Sequence, residues 1–354
     1  MHRRARLLGM LVALPALVLL MGVDRGCVTQ PVTDTIVTTS TVEIKGTINE
    51  LNAAGTLVAT HEGRARLRVN AGPFRPWANT VSKVWTSPDV PLNVGVNQIT
   101  GATERGTGPS LVTGTVPAFL LERKTDLSDR GTQQVFFNWS ASGIDDVLKN
   151  IARETLEPDP SAADLNTFAA QVKSQVQSFF QSAYSGTNVT ITAAAGTDVH
   201  TVNFTTADNG LYGSSPGDYR NQTKQQTSTI NLGTFRSTCR DRLLTDTPAR
   251  ATDSMNTRIV DVATFIGRTV AHEVAHSLGL TNDANLHGCE GSHNCEAYDD
   301  ANPADRFNGG HYMMDPGPKS LLHARIGQAN AMPPRNTKRP VFNRYNKSYL
   351  NIIH

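Results

Sequence analysis

The spacing of hydrophobic positions changes character once along the chain, between residues 123 and 131. Before that point, Thr41-Val42-Glu43-Ile44-Lys45 and Arg64-Ala65-Arg66-Leu67-Arg68-Val69 alternate with the period of two expected of strands. Gly46, Gly55, Gly63, Gly72-Pro73, Pro88 and Pro91 interrupt the alternation at the spacing of turns in a small all-β sandwich, predicted over residues 35–122. After it, Gln134-Val135-Phe136-Phe137-Asn138 reads as a strand. From Ser161 the period lengthens. Leu165, Phe168, Ala169, Val172, Val176, Phe179 and Phe180 fall on one helical face, with Ser161 and Asp164 placed as a capping box and Gly186 as the stop. Asn188 to Thr192, Val199 to Thr205 and Thr229 to Phe235 read as further strands. A long helix runs from about Ser254 to Leu278, and Gly279 closes it because glycine reaches the left-handed conformation without steric cost. The second half, residues 132–354, is therefore expected to be an α/β (α+β) domain, joined to the first by a polar linker at 123–131.

A length of 354 residues suits two such domains. Lysine and arginine number 33 against 31 aspartate and glutamate, for a net charge of +2, and they are spread along the chain, which argues against a nucleic-acid partner. The amino terminus differs from the rest. His2, Arg3, Arg4 and Arg6 lead into an apolar run, Leu7 to Met21, too short for a stable membrane span but suited to a secretory signal over residues 1–26. A secreted or cell-surface location is the expectation. A lipid anchor at Cys27 is the minor reading, because Gly26 fits a lipoprotein signal and Asp24 does not. In an exported chain, Cys289 and Cys295 read as a local disulfide, with a zinc-knuckle arrangement as the alternative. Pairing of Cys27 with Cys239 is left open.

The chemistry concentrates on the long helix, in His272-Glu273-Val274-Ala275-His276. Residues four apart lie on one helical face, so His272 and His276 can offer two imidazoles to one metal ion. Glu273, next to the first ligand, then lies where a bound water would sit. Zn2+ lowers the pKa of that water, and Glu273 can take its proton as general base and return it to a leaving amine. The bland alternative is a core helix whose histidines are satisfied by hydrogen bonds.

Two resemblances add to this reading. Val90 to Thr100 resembles a late strand pair of bacterial immunoglobulin-like modules. His272 to Gly279 resembles the first eight positions of the long zinc motif of metzincin peptidases, and Gly309-Gly310-His311-Tyr312-Met313-Met314-Asp315-Pro316-Gly317 resembles their methionine turn, with Met314 as the turn methionine. The resemblance implies a zinc helix beneath a twisted mixed sheet, an edge strand bounding the cleft, and a third zinc ligand. That ligand falls three residues after the glycine in the family, where this chain has Asn282, a poor ligand. Leishmanolysin-like members displace their third histidine by an insertion, and His293 is the favoured equivalent, in a loop that the disulfide would pin. Asp283, His287 and His311 are the other candidates, Asp283 by similarity to the aspartate-ligated snapalysins.

Weaker signals complete the picture. Glu296, Asp299, Asp300, Asn302 and Asp305 could hold a structural Ca2+, although a solvated acidic loop is the commoner case. Asn138, Asn188, Asn203, Asn221 and Asn346 open glycosylation sequons. The tail beyond Pro333 is basic and aromatic and is expected to pack on the second domain as a final helix or coil. The expectation is thus a secreted zinc endopeptidase acting on protein or peptide substrates, with its oligomeric state left open. An inactive adhesion or binding protein on the same scaffold is the runner-up, and a zinc hydrolase of non-peptide amides the third reading.

Overall fold

The computed structural model describes residues 23–31, 34–242, 254–280, 288–289, 293–294, 312–314 and 341–354. The chain divides into two compact units, Met1–Thr125 and Asp126–His354, so the boundary falls inside the expected linker.

The first unit is all β. Its strands are β1 (Val23–Gln30), β2 (Thr35–Val37), β3 (Thr41–Leu51), β4 (Leu57–His61), β5 (Arg64–Val69), β6 (Ala78–Val81), β7 (Val84–Pro91), β8 (Gly95–Arg105) and β9 (Val112–Arg123). They run in the order β1-β3-β7-β6-β5-β8-β9-β2, and a parallel contact of β1 with β9 at Arg25 and Thr115 closes the sheet on itself. The expected sandwich is thus found as one rolled, barrel-like sheet. Alternation does the folding work: Ile44, Ile48, Ala65, Leu67, Trp85, Ile99 and Leu121 point inward and form a core with no solvent exposure.

Two details differ from the sequence reading. Val23 to Gly26, assigned to the leader, pair with Ile48 to Leu51, and Gly26 lies so close to Val116 that a Cβ would come within 2.6 Å of its methyl. Residues 1–22, with the rest of the leader, lie outside the described residues. The two strands around Leu92 are not partners either, since β6 and β5 stand between β7 and β8. Buried Leu92 and the Asn97 side chain, which bonds the backbone of Asn93 at 2.8 and 2.9 Å, hold that crossing.

The second unit is built on a five-stranded mixed sheet. Its elements are β10 (Gln133–Asn138), α1 (Ile144–Thr155), α2 (Ala162–Ala183), β11 (Val189–Thr192), β12 (Val199–Thr205), β13 (Gly213–Ser214), β14 (Thr227–Asn231), α3 (Leu232–Arg242), α4 (Met255–Ser277), β15 (Gly288–Cys289), β16 (His293–Asn294) and α5 (Arg344–Ile353). The order is β11-β10-β12-β14-β13, with four parallel strands and β13 antiparallel at the edge. Parallel neighbours need long crossovers, and α1 with α2 supplies the one from β10 to β11. The Ser161–Asp164 capping box is present, with both reciprocal bonds at 3.2 Å, and the seven apolar residues predicted for α2 are all buried.

One sequence reading changes here. The strand expected from Thr229 to Phe235 stops at Asn231, and α3 begins at Leu232. Gly233 explains the switch, because a Cβ there would lie 2.5 Å from the Thr206 carbonyl oxygen, so the chain turns against the end of β12.

The helix that matters most is α4. Ser254 caps it, accepting from Thr257 N–H at 3.3 Å. Almost every residue from Arg258 to Ser277 is buried, as in a helix enclosed on all sides. Tyr184 at the end of α2 donates to the Ala271 carbonyl at 2.8 Å. At the far end Gly279, at φ 82°, and Leu280 return their N–H groups to His276 and Ala275 at 2.9 and 3.1 Å, the two bonds of a Schellman motif. The tail forms the helix α5, and its Tyr349 hydroxyl donates to the Leu278 carbonyl at 3.1 Å, fastening it to the end of α4. Among the described residues no helix is long and apolar enough to cross a membrane.

Candidate metal centre

The last two turns of α4 bring His272 and His276 onto one face, their Nε2 atoms 3.1 Å apart. His272 Nδ1 lies 2.7 Å from the Met313 carbonyl oxygen. A carbonyl only accepts, so Nδ1 carries the hydrogen and Nε2 keeps its lone pair. Two imidazole nitrogens on one tetrahedral ion, each at about 2.0–2.1 Å, stand roughly 3.3 Å apart. The helix pair is already at that separation.

His293 completes the group. It lies on β16, which pairs with β15 as a two-residue hairpin, Cys289 facing His293 and Gly288 facing Asn294. Its ring centroid is 5.1 Å from each helix imidazole, and the ligand atoms of all three histidines lie within 4.8 Å of one another. The helix pair is the closest of the three, and His293 is the half-buried member.

The turn Tyr312-Met313-Met314 is wholly buried and ties these parts together. Arg268, one helical turn before His272, donates through Nη2 to the Tyr312 carbonyl at 3.1 Å, while His272 holds the next carbonyl. Asn294 N–H donates to the Met314 carbonyl at 3.0 Å, and Asn346 of α5 donates to the Asn294 side chain at 3.3 Å. The turn methionines therefore lie between the helix that carries two histidines and the strand that carries the third. Arg268 and Asn294 escaped the sequence reading, and Asn346 was read there only as the start of a sequon. The only signal for Arg268 was a charged residue inside an otherwise apolar helical stretch.

Burial leaves the helix histidines unprotonated. Burial, then the neighbouring His276 and His293, hold His272 well below the usual imidazole pKa, and burial followed by His293 lowers His276 to about 3. Both are therefore neutral near pH 7, the form a metal ion requires. Burial also raises Glu273 to about 8, the direction expected of a carboxylate with little solvent around it, and a cation alongside would favour its ionised form. Glu273 faces the edge strand: a Cβ on Gly213 would lie 2.7 Å from its Cγ.

Glu273, His272, His276, His293 and Met314 are thus gathered in one place. Asn282, the alternative ligands Asp283, His287 and His311, the acidic calcium candidates Glu296 to Asp305, and Cys295 with its expected bond to Cys289 lie outside the described residues. Cys27 and Cys239 are free thiols. Of the sequon asparagines, Asn221 and Asn346 are buried, and Asn138 bonds to Asn203 at 2.8 Å. Comparison of the chain with protein-family models, with curated proteins and with solved structures gives no match.

Proposed function

We propose that this chain is an exported zinc-dependent endopeptidase whose site is the histidine cluster at the end of α4. The observation that supports it is the convergence of His272, His276 and His293 beside the buried carboxylate of Glu273. The donor set fits Zn2+, which takes neutral imidazoles and, in catalytic sites, three protein ligands with a fourth position open to water. Bound there, zinc supplies Lewis acidity, acidifying a water and polarising a peptide carbonyl.

The chain's own residues account for the rest. Met313 fixes the His272 ring by accepting from Nδ1, so that Nε2 faces the site. Burial strengthens Glu273 as a base, which takes a proton from the attacking water and passes it to the departing amine. The antiparallel edge strand β13 runs beside that carboxylate and offers a border along which an extended peptide can lie.

The test is direct. The purified chain is expected to hold about one zinc ion and to cleave casein or gelatin, with the activity lost to a chelator and restored by zinc. Glu273→Gln should keep the metal and lose roughly 10²–10⁴-fold in kcat. Zinc retained with no cleavage of any protein by the wild-type chain overturns the peptidase reading in favour of a binding role.

A further inference from the structure

Gly213 occupies an edge strand, a position where glycine weakens the element and offers no side chain to pack. Its backbone does not need a glycine. It lies outside the left-handed region, and it pairs in register with Ile230 of β14. What glycine provides is space. A Cβ built there meets Glu273 Cγ at 2.7 Å, Oε1 at 2.9 Å and Cδ at 3.0 Å, three atoms of one side chain.

Hydrogen bonds on both sides of Gly213 hold the strand against such a contact. Just before it, the Tyr212 carbonyl accepts from Asn231 N–H at 2.9 Å, the Leu211 carbonyl accepts from the Asn231 side chain at 3.0 Å, and the Tyr212 hydroxyl lies 2.8 Å from Thr238 Oγ1. Just after it, Ser215 accepts from the Ser228 hydroxyl at 2.8 Å. On the other side α4 is enclosed. The yielding part is the Glu273 side chain, which has three torsions.

We infer that Gly213 is a positioning residue: its missing side chain is the slot that sets where the Glu273 carboxylate reaches. The catalytic meaning rests on the peptidase reading above, whereas the slot itself is a packing statement. A methyl group at 213 meets the Glu273 side chain before any other and pushes its carboxylate aside.

The experiment is a double-mutant cycle on the full chain as purified, with zinc content measured for each variant. Gly213→Ala should lower the melting temperature while Glu273 is present and leave it unchanged or raised in the Glu273→Ala background, where the slot is empty. In the same set, Gly213→Ala keeps its zinc and its KM, loses kcat on the order of a hundredfold, and costs nothing further in the Glu273→Ala background. If Gly213→Ala does not fold, recovery of folding in the double variant carries the same meaning. Equal temperature shifts in both backgrounds, full kcat in Gly213→Ala, or a double variant that also fails to fold overturns the inference. Coupled melting temperatures in a chain without hydrolysis keep the slot and overturn its catalytic role together with the peptidase reading.

Discussion

His200 illustrates how a single buried residue makes stability depend on acidity. It sits on β12 with 1 % of its surface exposed, its Nε2 2.8 Å from Ser228 Oγ. Ser228 donates its own hydrogen to Ser215, so it accepts from His200 Nε2–H. Burial lowers the imidazole pKa from 6.5 to about 4. Above pH 6.5 both folded and unfolded chains carry a neutral ring, and the full stability is present. As pH falls from 6.5 to about 4, the unfolded chain binds a proton that the folded chain refuses, so stability is lost across that window. Its size is on the order of 3 kcal/mol. The urea midpoint of wild type should therefore fall more than that of His200→Gln as pH drops from 7.5 to 4.5; parallel curves would assign the titration elsewhere. Residues such as this one were not legible in the sequence, because a lone histidine in an alternating strand gives no sign of its partners. His272 and His276 were legible because a spacing of four on a helix is itself a geometry.

At the scale of elements, legibility followed the strength of the period. The helices α2 and α4 were read to within a residue or two, since long apolar stripes, a capping box and a terminal glycine all agreed. The join between β14 and α3 was not, because Ile230 and Leu232 are both buried and nothing local marks the change at Asn231. What marks it is the approach of Gly233 to the backbone of Thr206 and Ala207, just past β12, a tertiary contact. The helix α1 was missed although Ile144, Val147, Leu148, Ile151 and Ala152 follow the helical stripe, since it is short and starts at Gly143 without a capping side chain. Gly279 was read correctly, and the structure adds a reason beyond its φ of 82°: a Cβ there would lie 2.4 Å from Tyr219 Cα, a backbone atom. The left-handed conformation alone costs another residue roughly 1–2 kcal/mol. With the added clash, Gly279→Ala should lose more than that and should weaken zinc binding, since the same turn ends the helix one residue triplet past His276. A loss below about 1 kcal/mol in urea denaturation would mean the turn is not held as described.

At the scale of the whole molecule, the change from period two to mixed strands and helices located the domain boundary, which falls between Thr125 and Asp126. The pattern could not distinguish a sandwich from a rolled sheet, because inward and outward residues alternate alike in both. Each unit has its own hydrophobic core, the first around Trp85 and the second around α4. Cores that share no residues can melt separately, so scanning calorimetry is expected to resolve two transitions. His272, His276 and His293 all belong to the second unit. Zinc at a thousand times its dissociation constant stabilises the state that binds it by about 4 kcal/mol, or roughly 8–16 °C for a unit of this size. Only one transition should move by that amount on adding zinc, the other should ignore both zinc and chelator, and His293→Ala should shrink the shift. If both transitions move together, the site draws on the two units jointly; if neither moves, the histidines do not hold the ion.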